Sequence, residues 1–295
     1  MSERVVVAAI TRVTGAAAST DQDLVAAEAP LEILLAHPPS QPANGAGSVS
    51  RSLGVTMRTP GDDRDLVLGF LISEQVIQTM GDVVAVTFDP EQGRADEDGA
   101  QPARARVTLA SSIDLEAVAH TRVFDRSSAC GLCGRLAMQA VKVAGGGRTP
   151  DRPQIDPAVI AAMPDQLRKR QAVFAETGGL HAAALCDSQG EPWLLREDVG
   201  RHNAVDKVIG AALAMSRFPA IDSWLAVSGR VAFEIVQKAC AAGVAGVIAV
   251  GAPSSLAVDA ARAAGLTLVG FARDGRFNIY AGRERIATRG ENSPV

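Results

Sequence analysis

The sequence is short of most features that would settle its class at once. It has four cysteines in 295 residues, too few and too unevenly spaced for the disulfide framework of a small secreted domain. A globule of this length buries roughly 75% of its unfolded surface and needs no such framework. No apolar run reaches the roughly 18 residues of a membrane span. The start, MSERVVVAAITRVTG, lacks the charged leader and long apolar core of a signal peptide. These absences point to a cytoplasmic protein with no membrane partner. Net charge is only −4, so a strongly basic surface for nucleic acid is not expected. Aromatic residues make up 4% of the chain against 47% hydrophobic residues in all, an ordinary globular composition rich in Ala, Val and Gly. There is no internal repeat. There is also no Walker A or G-x-G-x-x-G motif, so ordinary ATP or NAD binding is not indicated.

What is present is a change of rhythm along the chain. PLEILLA and LGVTMRT read as strands on either side of a Pro/Gly/Ser-rich loop, Ala36 to Ser52. DDRDLVLGFLISEQVI reads as a helix capped by Asp62 or Asp63. DVVAVTFD and ARARVTLA are two further strands around an acidic turn. Residues 1–110 therefore read as a small, strand-rich α+β unit. Over residues 111–295 strands alternate with helices of ten to thirteen residues: LHAAALCD and PWLLRED as a hairpin, NAVDKVIGAALAM, SWLAVSG, AFEIVQKACAAG, VAGVIAVG, SSLAVDAARAAG, LTLVGFA, and GRFNIYAG as a closing hairpin partner. That alternation predicts an α/β layered sheet, with chemistry at the loops beyond the strand ends.

Two of the cysteines, Cys130 and Cys133, stand in SSACGLCGR. A C-x-x-C can bind zinc, cycle a disulfide, or carry sulfur as a persulfide. Gly131 and Gly134 leave the sulfurs uncovered. The helix predicted to start near Gly134, together with Arg126 and Arg135, favours a thiolate, the form that attacks sulfur donors. A closed zinc site needs four ligands, and the chain has no second C-x-x-C, so no structural metal is expected. Cys186 and Cys240 lie in apolar stretches that read as core. A zinc deaminase would need H-x-E with P-C-x-x-C. Here Ala129 precedes Cys130, and His37, His120, His181 and His202 are each followed two positions later by a residue other than Glu. A thioredoxin-like disulfide role stays open, although a polar loop rather than a strand leads into the pair.

Three loops share a strand–small residue–helix arrangement that offers backbone N–H groups to an anion: REDVGRHNAVDKVIG with Arg201, His202 and Asn203, VSGRVAFE with Ser228, Gly229 and Arg230, and VGAPSSLAV with Ser254 and Ser255. Arg201 and Arg230 could add bidentate contacts to phosphate; Asn203 or Ser255 could equally be helix caps. GFARDGRFN adds Phe271 for stacking, Arg273 and Arg276 for phosphates, and Asp274-Gly275 for a tight turn; its plainer reading is a hairpin tip.

Six stretches in this order, MRTPGDDRDLVLGFLISE, ACGLCGR, ETGGLHAAAL, REDVGRHNAVDKVIG, SGRVAFEIVQKA and GFARDGRFNIY, closely resemble the formate dehydrogenase accessory sulfurtransferases, the FdhD family. The likeness runs from Pro30 to Gly282. It implies a sulfurtransferase that takes persulfide sulfur from a cysteine desulfurase and passes it to the molybdenum cofactor, in its bis-molybdopterin guanine dinucleotide form, for formate dehydrogenase. It implies a cytoplasmic homodimer whose C-terminal three-layer α/β domain resembles the cytidine deaminase fold. By motif, Cys130 would carry the persulfide and Cys133 would assist. Phe271, Ala272, Arg273, Asp274, Gly275 and Arg276 would hold the guanine nucleotide, with Arg201, His202 and Arg230 as further candidates. The loop from Ala36 to Ser52 is longer than usual for the family, and Gln75 stands where the family commonly has Gly. The rival readings are a chaperone that only holds the cofactor and a C-x-x-C thiol oxidoreductase.

Overall fold

The computed structural model of the chain describes residues 3–38, 50–89, 102–115 and 154–287. The Cys130/Cys133 stretch, the acidic turn and most of the Pro/Gly-rich loop lie outside them. The described residues form a mixed α/β structure with a six-stranded sheet, a four-stranded sheet, a two-stranded ribbon and six α-helices.

The large sheet is the α/β part that the alternating pattern predicts. Strands β7 (His181–Cys186) and β8 (Pro192–Asp198) pair antiparallel around the SQGE turn. Helix α4 (Arg201–Ala214) follows, then β9 (Trp224–Val227), α5 (Phe233–Ala242), β10 (Gly246–Ala249), α6 (Ser255–Ala264) and β11 (Thr267–Arg273). Strands β9, β10 and β11 are parallel, and β12 (Arg276–Ala281) returns antiparallel to β11. The spatial order is β12-β11-β10-β9-β7-β8.

Both faces of this sheet are covered, so its strands read as nearly continuous apolar runs. Side chains alternate between two cores, as the pleat requires. Ala182, Ala184, Cys186, Trp224, Ala226 and Ile248 pack with Ile160, Met163 and Leu167 of α2 (Pro157–Lys169). Ala183, Leu185, Leu225, Val227 and Val247 face α4, α5 and α6. The run DPAVIAAMPDQLRKRQAVF forms α2 followed by a short α3 (Ala172–Thr177).

The first half contributes the four-stranded sheet, ordered β4-β3-β6-β5: β3 (Ala29–Ala36), β4 (Ser50–Arg58), β5 (Val83–Asp89) and β6 (Ala103–Leu109). Between it and α4 lies α1 (Asp63–Ser73), buried at every position from Leu66 to Ser73. A helix apolar all round has to be enclosed, and one continuous core joins Leu31, Ile33 and Val107 of the small sheet through α1 to Val205 and Ile209 of α4. The approach of α1 to α4 is governed by two glycines. A Cβ on Gly69 would lie 1.8 Å from the Asp206 carbonyl oxygen, and one on Gly210 would lie 1.9 Å from that of Asp65.

Buried ions stitch the same junction. Lys207 and Asp198 pair at 2.8 Å with 1% and 0% of their side chains exposed. Lys207 also donates to the Thr59 carbonyl at 2.8 Å, and the Thr59 amide donates to Asp198 at 3.2 Å. Lys238 of α5 pairs with Asp206 of α4 at 2.7 Å, and the Ser73 hydroxyl of α1 donates to the same carboxylate. Burial pushes the Asp206 carboxyl up, and Lys238 opposes it.

Several local expectations need correction. Asp62 occupies the N-cap of α1 but makes no side-chain cap bond; its carboxylate pairs with Arg4 at 2.7 Å. Asp63 accepts from Arg58 Nε and Nη2, at 3.0 and 2.9 Å. Charge-assisted guanidinium bonds outcompete backbone amides for these oxygens. Ser254, not Ser255, caps α6. Asn203 does not cap α4: it lies within the helix, and its amide donates to the Met57 carbonyl at 2.8 Å and to Asp198 at 3.0 Å. Gln75 has φ 57, a left-handed conformation that glycine adopts without strain and a residue with a side chain does not. The chain start holds strands that its composition does not announce. Here β1 (Val5–Thr14) and β2 (Ala17–Ala26) form an antiparallel ribbon, largely exposed.

Candidate functional site

The loops that follow β9, β10 and β11 come together at one end of the large sheet. Gly251 donates its N–H to the Gly229 carbonyl at 3.1 Å, and Val231 bridges to Pro253. A Cβ on Gly251 would lie 2.8 Å from Gly229 and one on Gly270 2.8 Å from Pro253, so glycine is what lets these backbones touch. Because β7 runs antiparallel to β9, its first residue, His181, arrives at the same end. Between these loops and the α2–α3 corner opens a cleft of about 500 Å³. Its floor and strand-side wall include Ser228, Val250, Arg273, Asp274 and His181. Leu167, Arg168, Gln171 and Phe174 form the opposite wall, and Gly178, Gly179 and Leu180 close it. Gly178 ends α3 in the left-handed conformation, with φ 68, the usual conformation for a glycine stopping a helix.

The predicted nucleotide segment is a hairpin tip that also borders this cleft. Arg273 pairs with Arg276 across Asp274-Gly275, which have φ 52 and 72, the mirror-image turn that favours Asp-Gly. Arg273 and Asp274 line the cleft; Gly275 and Arg276 are exposed at the tip. Phe271 sits in a bulge with φ 55, an unfavourable conformation for a bulky residue. Its amide donates to the Gly251 carbonyl, and the residue is 37% exposed and outside the cleft lining. Ala272 is fully buried in the core against α2.

Arg201 and His202 open α4, and Arg230 is exposed on the loop after β9. They gather around His181, whose Nδ1 would lie 3.3 Å from a Cβ on Gly229. Burial, then Arg201 and Arg230, push the His181 imidazole down, with Asp198 opposing. The direction favours the neutral imidazole, which carries one donor and one acceptor nitrogen. Among the described residues, three buried side-chain nitrogens lack a hydrogen-bond partner: Gln171 Nε2, Arg201 Nε and His202 Nε2. A donor left unmet in a protein interior calls for an explanation, and a ligand is one.

Burial, then Arg201 and Lys238, push His202 down to about 4, against an ordinary value of 6.5. A depressed imidazole means that the unfolded chain takes up the proton first. The contribution of His202 to stability is therefore complete above pH 6.5 and is lost as pH falls toward about 4. It amounts to on the order of 3 kcal/mol. His202→Gln should flatten the decline of thermal midpoint with pH across that window; a decline as steep as in the wild type would show that His202 is not its cause.

Cys130 and Cys133 lie outside the described residues. The other two cysteines are accounted for: Cys186 and Cys240 are buried in the two cores, and burial pushes each thiol up to about 12. Both thiols therefore hold almost no thiolate at neutral pH. Among the described residues no three His, Cys, Asp or Glu side chains converge as a metal site, and no helix is long and apolar enough to cross a membrane. Arg168, Gln171, Phe174 and His181 escape a motif-based reading because LRKRQAVF scans as ordinary helix and His181 as the first residue of a strand. The one signal available was Gln171 itself, a polar residue at the break between two helical runs.

The comparisons agree with this architecture. The chain is 43% identical over 283 residues to the sulfur carrier protein FdhD of Streptomyces avermitilis, covering 95% of each chain. It is 44% identical to that of Mycobacterium tuberculosis over 277 residues, covering 90% of this chain and 93% of the relative. Its fold is similar, at a TM-score of 0.69 and 23% identity, to the crystal structure of a protein assigned as a formate dehydrogenase accessory protein from Desulfotalea psychrophila, covering 96% of this chain and 99% of that one. The FdhD/NarQ family model matches residues 27–287, a span that takes in the small sheet, the cysteine pair and every wall of the cleft; the chain belongs to the FdhD/NarQ family.

Proposed function

We propose that this protein is a sulfurtransferase that relays persulfide sulfur from a cysteine desulfurase to the molybdenum cofactor in its bis-guanine dinucleotide form, for use by formate dehydrogenase. The observation that carries the reading is the family match over residues 27–287, which includes both Cys130 and the cleft. In the relay the Cys130 thiolate attacks the terminal sulfur of the desulfurase persulfide. The donor's S–S bond breaks, its thiolate leaves, and a new S–S bond forms on Cys130, with no net redox change. Cys133 assists as a second thiol. The two buried thiols, held near 12, leave this task to the Cys130/Cys133 pair.

The cofactor is the substrate of this relay. A nucleotide arm fits the described residues. Arg273 and the Gly178-Gly179 backbone suit phosphate, and the unpartnered Gln171 amide suits an acceptor-rich group; Arg201 and His202 stand outside the cleft lining, at the start of α4, as further candidates. Arg230, exposed beside His181, would add positive charge. The hairpin β7–β8 followed by α4, β9, α5, β10, α6 and β11 supports a relation to the cytidine deaminase fold, with the metal-binding residues of that chemistry replaced. The division at residue 110 is proposed as a division of labour between supporting and working parts rather than as two independent folds, given the shared core. The same reading makes the protein a cytoplasmic homodimer.

Calorimetry tests the nucleotide part. GDP should bind more tightly than ADP, and Arg273→Ala or Arg276→Ala should each weaken GDP about tenfold to a hundredfold, the loss of one charge-assisted phosphate contact. Lysine should be a poor substitute, because it lacks the planar fork. Equal binding of both nucleotides, or no loss in either variant, would show that this turn is only a hairpin.

A further inference from the structure

We infer that the α2–α3 wall of the cleft is a ring-reading subsite, in which Gln171 recognises the hydrogen-bonding edge of a planar heterocycle and Arg168 covers its face. The inference rests on the nucleotide reading above and deepens it. Gln171 stands between α2 and α3 with only 4% of its surface exposed. It lines the cleft, and its Nε2 is buried without a partner. A buried amide donor left unmet is unfavourable, and an acceptor entering from the cleft would complete it. Arg168 and Phe174 line the same wall, and the Arg168 guanidinium carbon lies 3.8 Å from the Phe174 ring centroid. Arg168 is otherwise exposed, so its second face is free to stack on another planar group.

A ligand that meets both features is flat and carries a ring carbonyl beside a ring N–H. Its carbonyl accepts from Gln171 Nε2, and its N–H donates to the Gln171 side-chain oxygen, a paired amide–lactam contact. The 2-amino-4-oxopyrimidine edge has this arrangement, and guanine and pterin share it. Phosphates attached to such a ring would extend toward Arg273 on the facing wall, which divides the cleft into a base end and a phosphate end.

The test titrates GDP and, separately, 6-hydroxymethylpterin into wild type, Gln171→Met, Arg168→Ala and Arg273→Ala by calorimetry, and records thermal midpoints. Methionine keeps the volume and removes the unmet donor, so Gln171→Met should melt at the same temperature or higher. It should lose at least tenfold in affinity for whichever ring the wall reads, and Arg168→Ala, an exposed substitution, should lose severalfold. Loss of GDP affinity identifies the guanine as the occupant; loss confined to the pterin identifies the pterin. If Gln171→Met and Arg168→Ala bind both compounds like wild type while Arg273→Ala weakens GDP, the subsite is wrong and the nucleotide reading stands. If wild type binds neither compound, both are wrong.

Discussion

Gly69→Ala is expected to cost roughly 3 kcal/mol or more of folding stability, at the upper end of what overpacking does. The added methyl would meet the backbone of α4 on arrival: the Asp206 carbonyl oxygen at 1.8 Å, its carbon at 2.5 Å and the Gly210 nitrogen at 2.8 Å. Backbone cannot rotate aside as a side chain can, so the helices have to separate. Separation loosens the core that α1 shares with both sheets and strains the bond from Ser73 to Asp206. It also tugs on Asp65, which pairs with Arg196 of β8 at 2.8 Å. Gly210→Ala should behave alike, its methyl meeting Asp65 at 1.9 Å. Gly81→Ala is the control: the nearest atom to its Cβ is the Thr79 hydroxyl at 3.4 Å, and its effect should stay within about 0.5 kcal/mol. Urea denaturation of the three variants checks this, and equal midpoints for Gly69→Ala and Gly81→Ala would contradict it.

Cys130→Ala is expected to abolish activation of formate dehydrogenase while leaving the unfolding transition close to that of the wild type. A persulfide carrier has no substitute for its sulfur atom, so the loss should be complete rather than partial, whereas Cys133→Ala should reduce transfer less. The contrast with the buried thiols sharpens the test. Cys186 and Cys240, pushed up to about 12 by burial, have almost no thiolate at neutral pH. Cys186→Ala and Cys240→Ala should alter packing and leave sulfur transfer in place. A chaperone that only holds the cofactor would tolerate Cys130→Ala; normal dehydrogenase activation in that variant would sink the relay.

The large sheet is legible in the sequence because its elements obey short-range rules. Alternating apolar runs and helices with small residues between them leave few arrangements other than parallel strands with helices on both faces. The β1–β2 ribbon is not, because its residues are largely exposed and no buried face imposes a pattern. The capping errors at Asp62 and Asn203 share a cause: each side chain is claimed by a partner more than fifty residues away, Arg4 or Met57, which no local pattern reveals. The candidate site divides in the same way. Arg273 and Asp274 stand in a turn whose residues announce it, and they do border the cleft. Gln171, Arg168 and His181 become neighbours of that turn only through the folding of α2 and β7 onto the sheet end. Phe271 shows the opposite case: a ring that invites a stacking role in sequence lies outside the cleft lining, turned out by a bulge with φ 55.

The central claim, that sulfur travels on Cys130, is tested most directly by intact-mass spectrometry of the protein after incubation with a cysteine desulfurase and cysteine. The relay predicts a gain of one sulfur atom, removed by reductant, retained in Cys186→Ala and Cys240→Ala, and missing from Cys130→Ala. No gain in the wild type, or a reducible gain of the same size in Cys130→Ala, would contradict it.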